Sequence, residues 1–151
     1  MQSYRERLYV PVLWWVLAAI DVLILGTEVW AGFGGIVPGV VYAVLSAVSL
    51  AFLLKWNSAS IEVTGTTFRA ANAKIALGQI SNAVALDEEE SRVLRGPRAD
   101  PAAHLLLRPY VKRVVYIAVD DPFSSAPYWL IASRRPEEVV AAIQRSRETV
   151  G

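Results

Sequence analysis

Residues 12–26 read VLWWVLAAIDVLILG, fourteen uncharged residues around a single aspartate, Asp21. A run of this kind is either a helix buried in the core of a soluble protein or a helix in contact with lipid. The surrounding sequence separates the two. Apolar character extends from about Tyr9 to Thr27 and resumes from about Ile36 to Leu54, each stretch reaching roughly 28 Å as a helix, close to the roughly 30 Å hydrocarbon core of a bilayer. A soluble helical hairpin would carry a polar stripe along each helix, and Asp21 is the one strongly polar side chain on the first. The sequence therefore predicts two transmembrane spans, 9–27 and 36–54.

The linker EVWAGFGG (28–35) is short enough to force an antiparallel hairpin, with Trp30 and Phe33 suited to the headgroup level. No small-residue cleavage site and polar mature chain follow the first apolar run, which argues against a signal peptide. Arg5, Arg7 and Lys55 flank the hairpin on one side, whereas the linker carries no Lys or Arg. By the positive-inside bias both termini are expected in the cytoplasm of a multi-pass inner (plasma) membrane protein, with Tyr4, Tyr9 and Trp56 at the inner interface.

An ionised carboxylate in hydrocarbon costs several kcal/mol and normally faces protein or water. If the hairpin folds symmetrically about residues 31 and 32, Asp21 lies toward the outer side, level with Tyr42, and Ser46 and Ser49 continue a weakly polar face of the second helix. Three readings fit: a carboxyl satisfied within the hairpin, a contact with another integral membrane protein or a second copy of this chain, or a proton or ion path. Two helices enclose no path, and no second membrane acid completes a relay. Gly39, Ala43, Ala47 and Ala51 form a ridge of small side chains open to close approach by a helix.

The chain has 151 residues, 54% of them hydrophobic and 19% charged, but the charges are segregated. Between Leu8 and Leu54 only Asp21 and Glu28 are charged, whereas residues 55–151 carry thirteen basic and eleven acidic side chains. This predicts two parts: an N-terminal segment with the hairpin over 1–57, and a cytoplasmic domain over 58–151. In the second part SIEVT, TFRAA, AKIAL, QISNAVALDE, HLLLR, RVVYIAV and PYWLIAS read as seven short strands, the first two joined by a tight turn at Gly65. Val115, Ile117 and Val119 are expected on one face, as are Ile80, Val84 and Leu86. Asp87 and Glu90 form a capping box for a short helix stopped by Gly96 and Pro97. Pro136 opens a C-terminal helix over 136–148, with Glu137 and Glu138 at its positive end and Val139, Val140, Ile143 and Val150 as apolar contacts. The expected fold is α+β: a transmembrane hairpin followed by a small, strongly bent antiparallel sheet closed by that helix, or a four- or five-stranded sheet with the helix on one face.

No catalytic constellation emerges. The single His104 lacks a recognisable nucleophile motif, and no HExxH, phosphate-loop or dinucleotide fingerprint is present. The carboxylates at 87–90 read as a solvated helix cap, since consecutive side chains cannot converge on a metal. Absence of cysteine removes disulfides and thiolate sites. No cofactor or metal is expected, and a formal charge of +1 offers no basis for nucleic-acid binding. Basic residues are more suggestive: Arg108, Lys112, Arg113, Arg134 and Arg135 could meet anionic lipid headgroups, a partner protein or the chain's own acids.

YRERLYVP (4–11), RPYVKRVVYIAVDDP (108–122) and PYWLIASRRPEE (127–138) together resemble a family of small actinobacterial two-pass membrane proteins of unknown function. The element order of the second part is also similar to bacterial pleckstrin-homology-like domains, in which a Ser-Arg-x-Pro-Glu step enters the closing helix. Ser133, Arg134, Pro136 and Glu137 match that step. Neither resemblance implies an activity. The leading expectation is a non-enzymatic accessory or scaffold subunit of a larger inner-membrane complex. The alternatives are a free-standing lipid-binding or sensor protein and a membrane-bound enzyme of unknown class.

Overall fold

The computed structural model describes residues 4–96, 98–122 and 124–150, with side chains as far as Glu148. The chain forms two units, one of Tyr9–Ser58 and one in which Met1–Leu8 joins Ala59–Gly151.

The first unit is a pair of helices, α1 (Val12–Gly32) and α2 (Val37–Asn57). Pro11 precedes α1 and Pro38 lies in the first turn of α2, where a missing N–H costs nothing. At about 1.5 Å per residue each 21-residue helix is about 31 Å long. Only Gly26 of α1 and only Pro38 and Leu53 of α2 are buried. Two helices that are apolar all round and packed against almost nothing have the surface of membrane spans, not of a soluble core. Both are consistent with a two-pass membrane protein.

These boundaries correct the expected spans. Apolar Val29 and Trp30 continue α1 through the expected linker, where a helix satisfies every backbone group, and the connection shrinks to Phe33–Ile36. Tyr42 lies over Gly26, where an added Cβ would fall 2.0 Å from the ring. At the other end Trp14 and Trp56 meet with centroids 5.7 Å apart. These contacts centre the hairpin on residues 34 and 35 rather than 31 and 32.

Among the described residues the second unit holds eight strands, two α-helices and a short 3-10 turn at Leu77–Gln79. Strands β1 (Tyr4–Arg7), β2 (Ser60–Thr64), β3 (Thr67–Ala70) and β4 (Ala73–Ala76) form one antiparallel sheet in that order. Gly65, at φ +53°, makes the expected tight turn between β2 and β3. Strands β5 (Ile80–Leu86), β6 (His104–Leu106), β7 (Val114–Val119) and β8 (Tyr128–Ala132) form a second sheet in the order β5-β7-β8-β6. Helix α3 (Glu88–Arg95) follows β5, and α4 (Pro136–Val150) ends the chain. Pro97 and the side chain of Val150 lie outside the described residues. The shared core takes Ile61, Val63 and Phe68 from the first sheet, Val115, Ile117, Trp129 and Ile131 from the second, and Val139 and Ile143 from α4.

All seven expected strands are present, but three features differ. Strand β6 pairs with β8 in parallel, so the second sheet is mixed rather than antiparallel. A bulge at Ser81 adds one residue to β5 and inverts the alternation beyond it, so that Ala83 packs toward the core with Ile80 while Val84 is exposed. The third difference is β1. Tyr4–Arg7, grouped by the sequence reading with the hairpin, belongs to the β unit and pairs with β2 from Tyr4↔Val63 to Arg7↔Ser60. Tyr4 is consequently packed against the core rather than placed at an interface.

Candidate functional site

Asp21 is adjacent to Val22, the middle residue of α1, and so lies deeper than the shorter expected span implied. The least exposed positions of α1 are buried Gly26 and half-buried Trp14, Trp15, Ala18, Val22 and Val29, a helical seam that excludes Asp21. Its side chain is exposed and, among the described residues, has no hydrogen bond or ion pair. With the turn centred on residues 34 and 35, Asp21 is level with residues 47–49 of α2. Ser49 is thus at the right depth, whereas Tyr42 is engaged at Gly26 and Ser46 is exposed on α2. Glu28 follows seven residues later on the same face, exposed and likewise unpaired among the described residues. Gly39, Ala43, Ala47 and Ala51 of α2 are all exposed.

The β unit is closed by a contact that the sequence reading did not identify. The Glu6 carboxylate accepts hydrogen bonds from Ser133 Oγ at 2.6 Å and from the Arg134 N–H at 2.8 Å, with the Tyr4 hydroxyl at 3.3 Å. Ser133 is fully buried, and its Oγ also accepts the Arg135 N–H. Strand β1 is thereby latched to the turn that starts α4, and YRER and SRRPEE, parts of two segments that carry the resemblance, meet in space. Burial, with the Glu6 and Glu138 carboxylates nearby, pushes the Tyr4 hydroxyl far above the usual tyrosine range. The only sequence signal was the charge alternation of YRER, since the partner of Glu6 lies 127 residues away.

The loop 108–113 is held from two sides. From α3, Ser91 Oγ and Arg95 Nη2 both donate to the Lys112 carbonyl, and burial lowers the Arg95 pKa. From the N-terminal segment, the Leu8 carbonyl accepts the Tyr110 hydroxyl at 3.2 Å. The capping box that begins α3 is formed as expected, with Asp87 Oδ1 accepting the Glu90 N–H and Glu90 accepting the Asp87 N–H. Of the five candidate cations, Lys112 pairs with Glu88 at 2.8 Å, Arg113 pairs with Glu137, and Arg135 pairs with Glu138 at 3.5 Å. These pairs are solvent-exposed and contribute little to stability. Burial pushes the Tyr110 hydroxyl above its ordinary range, and the nearby Arg108 and Arg134 oppose that push, Arg108 also through a hydrogen bond with it.

His104 begins β6 with its ring tilted against Trp129, centroids 4.5 Å apart, at the edge of the core. Among the described residues no three His, Cys, Asp or Glu side chains gather where a metal ion could be held.

The sequence profile of a protein family described as a protein of unknown function (DUF3093) matches residues 3–143. The chain belongs to the DUF3093 family. The match begins beside β1 and ends within α4, so DUF3093 includes both the apolar helices and the strands before and after them in the chain. No curated protein and no solved structure matches the chain.

Proposed function

We propose that this DUF3093 protein is a non-enzymatic accessory or scaffold subunit of a larger inner-membrane assembly, joined to another integral membrane protein through α1. One observation carries this reading: Asp21, in the middle of a span, is turned away from the seam with α2 and has no partner among the described residues. A carboxylate at the centre of a span costs roughly 3 kcal/mol on insertion scales, so such residues normally face a protein or water-lined surface. A hairpin that does not satisfy Asp21 itself leaves that role to a neighbour with a basic or hydroxyl side chain, and Glu28 extends the same face toward the outer headgroups. The β unit, with its two sheets and closing helix, serves as the binding domain. Pairing of β1 with β2 supports both ends of the hairpin lying on one side, and Arg5, Arg7 and Lys55 favour the cytoplasmic side.

The test is crosslinking in native membranes, followed by mild extraction and mass spectrometry. A larger membrane protein should co-purify in fixed stoichiometry with the wild type and be largely lost with D21L, while D21N retains part of the association through its amide. Emergence of the wild type alone, with D21L behaving identically, would refute the subunit reading. Recovery of only a second copy of the chain would replace the proposed partner by self-association.

A further inference from the structure

The outward face of the first sheet carries charges that its own fold leaves unbalanced. Strand alternation sends Tyr4, Val63, Phe68 and Ile75 toward the core as one cross-strand row. The adjacent row, Arg5–Glu62–Arg69–Lys74, therefore points outward, in register across all four strands. Arg7, two residues along β1 from Arg5, lies on the same face. The face thus holds four cations, all exposed, and among the described residues one carboxylate, Glu62, which Arg5 engages at 3.0 Å.

Arg69 and Lys74 stand directly opposite each other on β3 and β4, and neither has a hydrogen bond or ion pair among the described residues. Like charges so placed destabilise a sheet, with Cβ atoms about 4.5–5.5 Å apart. A lysine on an edge strand discourages further pairing, which explains Lys74 by itself. Arg69, however, lies on an inner strand, where an acid at position 74 would relieve it. Three exposed cations elsewhere in the unit are matched in that way, Lys112 by Glu88, Arg113 by Glu137 and Arg135 by Glu138. A like-charge pair left standing beside such matches points to a use outside the chain.

The rest of the face narrows the partner. Ser60, Thr64, Thr67 and Ala76 complete it, so it offers no aromatic ring to a nucleobase and no large apolar anchor to a bilayer. A carboxylate-bearing peptide needs neither. Side chains one turn apart on a helix are separated by about 5–6 Å, which matches the Arg69–Lys74 spacing, and a guanidinium takes a carboxylate through two parallel hydrogen bonds.

We infer that the outward face of the first sheet, centred on Arg69 and Lys74, docks an acidic helical segment of the partner protein, with carboxylates one turn apart. This rests on the β unit being the binding domain proposed above, and it does not depend on Asp21.

The experiment uses full-length protein in phosphatidylcholine nanodiscs and a labelled, alanine-based helical peptide with glutamates one turn apart, its binding followed by fluorescence anisotropy. Wild type should bind this peptide in preference to its glutamine counterpart, and salt at about 0.5 M should release it. R69Q/K74Q should lower the affinity about fivefold, as expected for two exposed ion pairs, whereas K112Q/R113Q should leave it unchanged. K74E controls for folding: it gives Arg69 an opposite charge and should hold Tm at or above the wild-type value while the peptide affinity falls at least as far. Equal affinity for the two peptides, or an unchanged affinity in R69Q/K74Q, would overturn the assignment. Displacement of the peptide by phosphatidylglycerol vesicles and not by phosphatidylcholine vesicles would also overturn it, by marking a lipid surface. D21L should bind the peptide as wild type does, so that failure of the intramembrane contact and failure of this face are separately visible.

Discussion

Removing the Glu6 carboxylate should open the β unit at its N-terminal edge. Hydrogen bonds to a charged group contribute about 1.5–3 kcal/mol each, and Glu6 accepts two short ones, from Ser133 Oγ and the Arg134 N–H. Glu6 is only half-buried, and water replaces part of what is lost, so E6A is expected to cost about 3 kcal/mol. For a domain of up to 100 residues, 1 kcal/mol corresponds to about 4–8 °C, which places the drop in Tm near 15 °C. E6Q keeps one acceptor oxygen and should lose about half as much. The assay is thermal unfolding of the detergent-solubilised protein followed by circular dichroism in the β-sheet region, with hydrogen exchange at residues 5–8 reporting release of β1. Ser133→Ala should be destabilising too, and because the two side chains form one unit, E6A/S133A should cost less than the sum of the single changes by about 1 kcal/mol or more. A Tm for E6A within about 2 °C of wild type, or strict additivity of the pair, would refute the latch.

Gly26→Leu should separate α1 from α2, because even a Cβ at that position would overlap the Tyr42 ring at 2.0 Å. With cysteines placed at positions 14 and 56 of this cysteine-free chain, the yield of a short thiol crosslinker should fall several-fold in G26L and recover in G26L/Y42A. Asp87→Ala removes the cap of α3 and should cost about 1 kcal/mol, seen as faster amide exchange through Glu88–Arg95 and in the 108–113 loop that Ser91 and Arg95 hold. Tyr4 and Tyr110 ionise later in the folded chain than at the ordinary value of 10.0. Stability linked to them is intact below pH 10 and declines as the pH rises toward the folded values. An alkaline unfolding series should show that decline, and Y4F/Y110F should flatten it.

Much of the architecture was legible in sequence because it is written in local terms. The apolar runs, the Asp87–Glu90 cap, the Gly65 turn, Pro136 and all seven expected strands are carried by residues close in the chain. What escaped the reading depends on distant partners. A glutamate in a four-residue charged segment does not announce a strand, and Glu6 is satisfied only by Ser133 and Arg134 at the far end of the sequence. The parallel pairing of β6 with β8 has no signature in HLL, and the extra residue at Ser81 turns an apparent Ile80–Val84 face inside out. At the candidate site the identity of Asp21 was visible at once. Its orientation was not, because that depends on where the hairpin turns, and Gly26 under Tyr42 decides the register.

The pairing of β1 with β2 also sets an order of events during synthesis. The first strand leaves the ribosome some fifty residues before its neighbour and stays without a mate until the intervening helices have been delivered to the lipid. If only one helix crosses, the two strands are stranded on opposite faces and the sheet keeps a bare edge at Ile61–Val63. Completion of this small sheet therefore requires that both ends of the helical hairpin lie on the same side.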